Sequence, residues 1–334
     1  MISIDEKTIF ETISKRNPHS VALNGPEALI PKIQDCANNI TEKFGIPAYI
    51  IGDTCWGSCD LNIHAADMLR VEILFNIGHT IAMETFGKHV IMVSAYDDIN
   101  FEDVARKCAL GLKDQNYKFI SLLTDSQHLN QISCVKKIFE EYSYKVIIGR
   151  GKGQLNDAQV FGCEFYPAYD IQKQVDAFIF LGQSRFHCAS IVMSTGKPTY
   201  MLDPYFGEYC RINEFAIHLQ KKAILSVYRA LEAERIGIII GLKEGQFAKT
   251  RALELKKSFE QLGKKTQLIA LTDITDERLQ IFKGIDTFVQ VACPRIAIDD
   301  HFKKPVLSVP QALALIKLLK KEPIDDFLKI RHWL

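Results

Sequence analysis

The sequence predicts an α/β protein with three similar domains, each containing a four-stranded parallel sheet. Short runs of β-branched and apolar residues alternate with longer amphipathic segments along the 334-residue chain, which is the pattern of βαβ units. Several of the short runs are apolar throughout, as expected for parallel strands that are covered on both faces. The length of the chain also allows two or three domains of ordinary size.

The strand candidates number twelve, and along the chain they fall into three groups of four. The groups comprise residues 20–23, 48–51, 71–75 and 90–94; residues 119–123, 145–148, 177–181 and 199–202; and residues 236–241, 267–271, 287–291 and 306–309. We therefore expect domains over residues 1–98, 99–212 and 213–334, related by a pseudo-threefold arrangement. The similarity among the three groups is too weak to claim a triplication from identity.

Amphipathic segments between the strand candidates predict the helices that cover the sheets. The segment 26–44 has Pro26 near its start and Gly45 just past its end, which are helix start and stop signals. The segments 129–142 and 246–262 are similar, and Gly263 follows the second of them. No Gly/Ser-rich or Pro-rich linker separates the groups, which favours domains that pack tightly.

The composition argues against several classes of function. With 47% hydrophobic and 24% charged residues, this is an ordinary globular sequence. The net charge is +1 and the basic residues are dispersed, whereas nucleic-acid binding needs a concentrated basic face. The apolar runs are far shorter than the ~20 residues of a membrane span, and the N-terminus has no export signal. We expect no nucleic acid and no membrane as partner, and a cytoplasmic location.

Three of the nine cysteines share one sequence context. Cys59, Cys163 and Cys293 each come near the end of an apolar run, and each expected domain contains one of them. Ligands of open parallel sheets bind outside the carboxyl ends of the strands. If the three domains face a common axis, these cysteines converge there.

Three thiolates are suited to hold an iron–sulfur cluster. Three protein ligands on a four-iron cube leave one iron open for a substrate. The alternative is that these are small buried residues, because free cysteine is among the most buried residue types and the wide spacing forms no local motif. Cys55 and Cys59 begin a C-x₃-C-x₂-C pattern, but Asn62 occupies its third position, so that motif is missing. The remaining cysteines are expected to be structural: Cys36, Cys108, Cys134, Cys188 and Cys210.

Several segments, most of them around these cysteines, carry a family resemblance: residues 56–60, 162–163 and 292–300, with the pairs 78–79 and 186–187. Here the chain resembles the archaeal diphthamide-synthesis enzymes, the 2-(3-amino-3-carboxypropyl)histidine synthases of the non-classical radical S-adenosylmethionine family. The resemblance covers essentially the whole chain. It departs at Trp56, where the family usually has Tyr, at Asn76-Ile77, where it usually has His-Tyr, and at the extra Cys55.

The resemblance implies a homodimer with one [4Fe–4S] cluster at the centre of each three-domain subunit, held by Cys59, Cys163 and Cys293. It implies that S-adenosylmethionine binds the open iron. One-electron reduction then cleaves the bond from sulfur to the γ-carbon of the methionine moiety. The 3-amino-3-carboxypropyl radical adds to imidazole C2 of a histidine in translation elongation factor 2, and methylthioadenosine leaves. The electron donor is not specified.

Six further residues are candidates for contacts with S-adenosylmethionine: Gly78, His79, Gly182, Arg185, His187 and Gln246. Residues 78–79 and 182–187 follow strand candidates, and free N–H groups at a helix start suit a carboxylate. The alternatives are a capping or core role for His79, a simple strand–helix turn at 182–187, and a helix cap for Gln246. Arg295 is a further candidate for bidentate pairing with a carboxylate.

Two other functions remain open from the sequence. A quinolinate synthase-like enzyme also has three α/β domains that each give one cysteine to an open-site [4Fe–4S] cluster. A non-enzymatic protein with structural zinc, or with no metal, is the second. Structural zinc usually takes four ligands in close sequence pairs, which this chain lacks.

Overall fold

A computed structural model of the chain describes residues 2–82, 85–86, 89–299 and 302–324. Each of three consecutive stretches of chain forms its own sheet. A separate two-stranded ribbon pairs the beginning of the first stretch with its end. Asp300, at the end of one of the segments that carry the family resemblance, lies outside the described residues. Among the described residues, no helix combines the length and apolar character that crossing a membrane requires.

The described residues of the first stretch form seven strands and three α-helices. In chain order they are β1 (Ile2–Ile4), α1 (Glu6–Arg16), β2 (Val21–Asn24), α2 (Ile30–Phe44), β3 (Ala48–Ile50), α3 (Ile63–Leu69), β4 (Ile73–Ile77), β5 (Thr85–Phe86), β6 (Val90–Val93) and β7 (Ala95–Asp97). The sheet order is β3-β2-β4-β6-β5, with β5 antiparallel to β6 and the other pairs parallel. Strands β1 and β7 form the antiparallel ribbon.

The second stretch forms a five-stranded sheet with the order β12-β11-β10-β8-β9. Its elements are α4 (Glu102–Gly111), β8 (Phe119–Thr124), α5 (Ile132–Glu141), β9 (Lys145–Ile147), α6 (Tyr166–Ile171), β10 (Ala177–Leu181), α7 (Arg185–Thr195), β11 (Thr199–Asp203) and β12 (Glu208–Arg211). Strand β12 is antiparallel to β11, and the other pairs are parallel.

The third stretch forms a fully parallel sheet with the order β14-β13-β15-β16. Its elements are α8 (Asn213–Arg229), β13 (Arg235–Gly241), α9 (Lys249–Gln261), β14 (Lys265–Leu271), α10 (Asp276–Gln280), β15 (Thr287–Gln290), α11 (Pro294–Asp299), β16 (Val306–Leu307) and α12 (Val309–Leu319). Short 3₁₀ turns cover Glu27–Leu29, Lys113–Gln115, Ser126–Gln131 and Glu244–Gln246.

The parallel strands have the same order in all three sheets. Numbered along the chain within each stretch, the order is second, first, third, fourth. All twelve predicted strands are present, so the predicted fold class is confirmed. Strands β6 and β10 are buried along their whole length, which explains why their sequences are apolar without alternation.

Two antiparallel edge strands and the ribbon were not expected from the sequence. Strand β12 is mostly exposed and carries charged residues at both ends, so it lacks the apolar run by which the other strands were recognised. Edge strands need no burial on both faces, and their sequences are correspondingly polar.

Two helix starts also differ from the prediction. The segment expected to be one helix from residue 246 begins with a 3₁₀ turn at Glu244–Gln246, passes through extended Phe247, and becomes helical only at Lys249. Likewise, residues 129–131 belong to a 3₁₀ turn that precedes α5. Gly45 adopts φ 67° and closes α2 in the left-handed conformation, as expected for a helix stop signal.

Helix α8 belongs to two hydrophobic cores. Ala216 and Leu219 in its first half pack into the core of the second sheet, whereas Val227 near its end packs into that of the third. The predicted boundary at residue 213 therefore stays a prediction, as does the boundary near residue 98. The shared helix explains why no flexible linker is needed at this position.

Candidate functional site

Three loops at the carboxyl side of the sheets bring together cysteines that are far apart in the sequence. Cys59 lies between β3 and α3, Cys163 between β9 and α6, and Cys293 between β15 and α11. Burial, and then the neighbouring Cys293 and Cys59, raise the pKa of Cys163 well above its ordinary value. Burial and then Cys59 raise the pKa of Cys293 to about 11. Thiols affect one another in this way only when they are close together.

A cavity of about 520 Å³ opens beside Cys59 and Cys293. Its wall also contains Trp56, Gln246, Arg295 and the segment 272–277. The volume falls in the range of small-molecule sites, and the wall combines apolar surface with a few polar groups. The cavity can therefore admit a molecule of cofactor size to the thiols.

The turn that carries Cys293 is held by a buried glutamine. The Gln290 side chain accepts a hydrogen bond from the Ala292 N–H (2.7 Å) and donates one to the Cys293 carbonyl (2.8 Å). Gln290 is 1% exposed, so both bonds are shielded from water. This side chain fixes the backbone at the end of β15, where α11 begins with Pro294.

The loop that carries Cys59 is held from the third stretch. The amide of Gln246 donates a hydrogen bond to the Cys59 sulfur (3.5 Å), and the Gly245 N–H donates one to the Cys59 carbonyl (2.9 Å). Burial raises the pKa of Cys59, and the Gln246 bond opposes that rise. Lys243 forms an ion pair with Asp60, the residue that follows Cys59.

Cys55 faces a different environment from Cys59. Its thiol is buried, lies 3.5 Å from the amide nitrogen of Asn24, and donates to the Asp60 carbonyl at 3.3 Å. Burial raises the pKa of Cys55 to about 12, so the thiol is neutral at physiological pH. Asn24 also donates to Asn76 at 2.8 Å. Cys55 thus belongs to a buried polar group that supports the loop.

The surroundings of Cys163 depend on the absence of a side chain at the preceding residue. A Cβ atom at Gly162 would lie 1.7 Å from the ring of Phe186, so only glycine fits there. The Arg295 guanidinium lies 5.4 Å from the centroid of the same ring, within the range of a cation–π contact. Phe186 therefore contacts both the Cys163 loop and Arg295 of α11, two residues after Cys293.

Two predicted residues, His79 and His187, are neutral and lie near each other. The Nδ1 atom of each is buried and has no hydrogen-bond partner among the described residues. Burial lowers the pKa of His79 to about 4. Burial, and then the charges of Arg295 and His79, lower the pKa of His187 to about 3. Buried nitrogens without a partner are rare, but His128 Nδ1 is in the same state, so a role of His79 and His187 in cofactor binding stays a prediction.

The other predicted residues have structural neighbours. Gly78, with φ 71°, packs against Pro26 and Leu29. Gly182, with φ 133°, lies beside Asp125 and His128.

Arg185 and the start of α7 are likewise engaged within the protein. The Arg185 guanidinium lies 6.0 Å from the centroid of the Phe215 ring. Ser184 caps α7 by accepting a hydrogen bond from the His187 N–H (3.3 Å). This part of the turn therefore fits the alternative of a simple strand–helix connection, and a role in cofactor binding stays a prediction for Gly78, Gly182 and Arg185.

Sequence reasoning missed Gln290 and the contacts of Lys243 and Asp60. Asp60 was visible beside Cys59 in a segment that carries the family resemblance, but a carboxylate there had no evident partner. Lys243 lies 183 residues away from it in the chain. A contact over that separation leaves no local signal in one sequence.

Three thiols are a donor set that fits an iron–sulfur cube. In the described part of the chain, no three His, Cys, Asp or Glu side chains are close enough together to hold one ion. In a cube each thiolate binds a different iron, so the sulfurs need to face a common centre without touching one ion. Burial raises the pKa of all three thiols, and that penalty would be lost when iron binds them as thiolates.

Comparisons with known proteins find relatives over nearly the whole chain. The family model for diphthamide synthesis proteins matches residues 25–326. The 2-(3-amino-3-carboxypropyl)histidine synthase of Pyrococcus horikoshii is 25% identical over 97% of this chain and 94% of that protein. Subunit 1 of the corresponding enzyme from Caenorhabditis elegans is 29% identical over 90% of this chain and 76% of that protein.

A solved structure is similar over almost the whole chain. The crystal structure of Dph2 from Pyrococcus horikoshii with a 4Fe-4S cluster aligns with a TM-score of 0.87 at 25% identity. The alignment covers 98% of this chain and 95% of that chain.

Proposed function

Because this chain belongs to the family of diphthamide synthesis proteins, we propose that it modifies a histidine of translation elongation factor 2. It is a transferase of the 2-(3-amino-3-carboxypropyl)histidine synthase type. The group transferred is the 3-amino-3-carboxypropyl group of S-adenosylmethionine, and the acceptor is imidazole C2. The observation that carries the proposal is the convergence of Cys59, Cys163 and Cys293 from three separate sheets.

These three cysteines would hold a [4Fe–4S] cluster that has one open iron. When bound, the cluster supplies the single electron that cleaves the sulfur–γ-carbon bond of S-adenosylmethionine. The remaining work of the protein is orientation, because the sulfonium has three carbon–sulfur bonds and only one is to break. The cavity beside Cys59 and Cys293 supports this role, since its volume of about 520 Å³ suits a molecule of that size.

The polar groups around the cavity suggest how the co-substrate is held. Arg295 lines the cavity, and its guanidinium suits the carboxylate of the methionine moiety. His79 and His187 are outside the wall of this cavity, and their neutral, buried imidazoles stay candidates for contact with a bound group. Exposed Trp56 also lines the cavity and offers an aromatic face to the adenine.

The partners belong to the same proposal. Elongation factor 2 is the protein substrate, the active form is a homodimer, and an electron donor not yet identified reduces the cluster. The family model and the curated relatives named above concern diphthamide synthesis, which favours this reaction over the alternative of a quinolinate synthase-like enzyme.

The test is the identity of the small product. The protein, purified without oxygen, is mixed with dithionite and S-adenosylmethionine, and the nucleosides are separated. We expect methylthioadenosine, with Cys163→Ala as the inactive control. Formation of 5′-deoxyadenosine alone, or no cleavage by protein that contains the cluster, would contradict the proposed reaction.

A further inference from the structure

A turn of the third stretch contacts the Cys59 loop through four consecutive residues. We call the turn formed by Lys243, Glu244, Gly245 and Gln246 the clamp turn; it connects β13 to α9. The loop that it touches comes from the first stretch, so the contact joins two sheets that share no strand.

The first two clamp-turn residues bind the loop by charge. Lys243 Nζ lies 2.5 Å from Asp60 Oδ2, and the two side chains are only 8% and 2% exposed. The Glu244 carboxylate accepts hydrogen bonds from the Leu61 N–H (3.2 Å) and the Ile63 N–H (2.8 Å) at the start of α3. None of these bonds involves the Cys59 sulfur, so the two side chains fix the position of the loop without bonding to the sulfur.

The other two residues contact Cys59 itself. A Cβ atom at Gly245 would lie 2.5 Å from the Cys59 Cα. The two backbones are therefore too close together for any side chain at position 245. This approach places the Gln246 amide against the Cys59 sulfur at 3.5 Å. Gln246 is 6% exposed, and its backbone N–H donates to the Lys243 carbonyl at 3.0 Å, which closes the turn.

A hydrogen bond to a ligand sulfur changes the energy of a cluster according to its charge. The donor stabilises negative charge on the sulfur, and the reduced cluster carries one more negative charge than the oxidised cluster. Hydrogen bonds to the sulfurs are accordingly among the factors that set iron–sulfur reduction potentials. Gln246 is uncharged, so it provides this stabilisation without the long-range field of a cation.

We propose that Gln246 is a positioning residue whose amide donates to the Cys59 sulfur and thereby raises the reduction potential of the cluster. This inference rests on the proposed function, since it requires that Cys59 is a cluster ligand. It gives Gln246 a partner other than S-adenosylmethionine. The close approach of Gly245 to Cys59 keeps the amide within reach of the sulfur, whereas Glu244 holds the start of α3.

The test compares reduction potentials of the loaded protein. Gln246→Leu keeps the size of the side chain and removes the donor. An anaerobic redox titration, followed by the electron paramagnetic resonance signal of the reduced cluster, measures the midpoint potential. We expect Gln246→Leu to retain iron and to have a more negative midpoint than the wild type. Gln246→Asn, which keeps an amide on a shorter side chain, should lie between them or match Gln246→Leu.

Glu244→Ala is the matched control, because it removes a clamp-turn contact with the loop but none with the sulfur. Its loaded fraction should keep the wild-type midpoint. Equal midpoints in the wild type and Gln246→Leu would overturn the inference, as would equal shifts in Gln246→Leu and Glu244→Ala. Loss of the cluster from both Gln246 variants would show a purely structural role. A wild type that holds no cluster would instead refute the proposed function.

Discussion

Cys163 has both Cys59 and Cys293 as neighbours, whereas Cys188 has only Cys210 and Cys55 has only Cys59 among the thiols that affect their pKa. Cys36 and Cys108 are fully buried in helices, and burial raises the pKa of Cys36 to about 12 and that of Cys108 still further. Such thiols behave as small apolar side chains. Several thiols around an open space can instead bind iron, and they lose their protons when they do so.

Single substitutions should therefore separate the ligands from the rest. We expect Cys59→Ala, Cys163→Ala and Cys293→Ala each to lose the cluster, because a cube held by two thiolates is poorly retained. Cys55→Ala, four residues from Cys59, is the matched control and should keep its iron. Iron and sulfide content after anaerobic purification measures the effect. Cluster loss from Cys55→Ala, or retention in any of the other three, would contradict the assignment.

Gly245 should tolerate no side chain. The Cβ of Gly245→Ala would meet the Cys59 backbone at 2.5 Å, so the clamp turn and the loop must separate. We expect the free energy of unfolding to fall by about 1–3 kcal/mol and the iron content to decrease. Gly52→Ala is the control, because nothing lies within 4 Å of the added carbon. Chemical denaturation and iron assay of the two variants should differ; equal behaviour would mean that the close approach is not required.

At the scale of elements, a contact between β7 and the turn after β11 joins the first and second stretches of the chain. Tyr205, in the turn that leads to β12, donates a hydrogen bond from its hydroxyl to Asp97 at the end of β7. Burial, and then this bond, raise the pKa of Tyr205 to about 12. For Asp97, burial acts to raise the pKa, but the bond from Tyr205 contributes to a net decrease. The bond thus favours the ionised carboxylate.

The stability contributed by this contact should depend on pH. Because the pKa of Asp97 is lower in the folded state, the contribution is fully present above its unfolded value of about 3.9 and is lost as the pH falls through the folded value. We expect Tyr205→Phe to be less stable than the wild type by about 1 kcal/mol at pH 7, and the difference to shrink below pH 4. Urea unfolding at several pH values measures this. A difference that is constant down to pH 3 would disprove the role of the carboxylate.

At the scale of the molecule, the buried pair of Lys243 and Asp60 links the first and third sheets. Burial raises the pKa of Asp60 although the bond to Lys243 acts in the opposite direction. Burial lowers the pKa of Lys243, but Asp60 outweighs that effect and raises it. We take the pair as ionised, because each charge compensates the other in a site that water barely reaches.

Removing one charge of the pair should lower the free energy of unfolding more than removing both charges. Lys243→Met leaves Asp60 buried without its cation and should lower the free energy of unfolding by about 3–5 kcal/mol. The double variant Lys243→Met/Asp60→Asn removes both charges and should recover part of that loss. Chemical denaturation of the two single variants and the double variant gives the coupling. Strictly additive losses would indicate that the two charges do not interact.

The fold class followed from local patterns, because burial on both faces makes a parallel strand apolar throughout and each strand carries that signal in its own residues. All twelve predicted strands are present, whereas polar β12 escaped notice for the same reason. The three cysteines could also be singled out, since each stands near the end of such a run. Helix starts carry a weaker signal: a helix was expected from residue 246, which belongs instead to a 3₁₀ turn.

The contacts between the three stretches of the chain came only from the tertiary structure. Residues that are distant in the chain meet in the bond from Gln246 to Cys59 and in the pairing of Lys243 with Asp60. The burial of both histidine nitrogens likewise depends on the tertiary structure. Such contacts depend on how three sheets pack against one another. Packing is decided by the shapes of whole surfaces, and no short stretch of sequence records it.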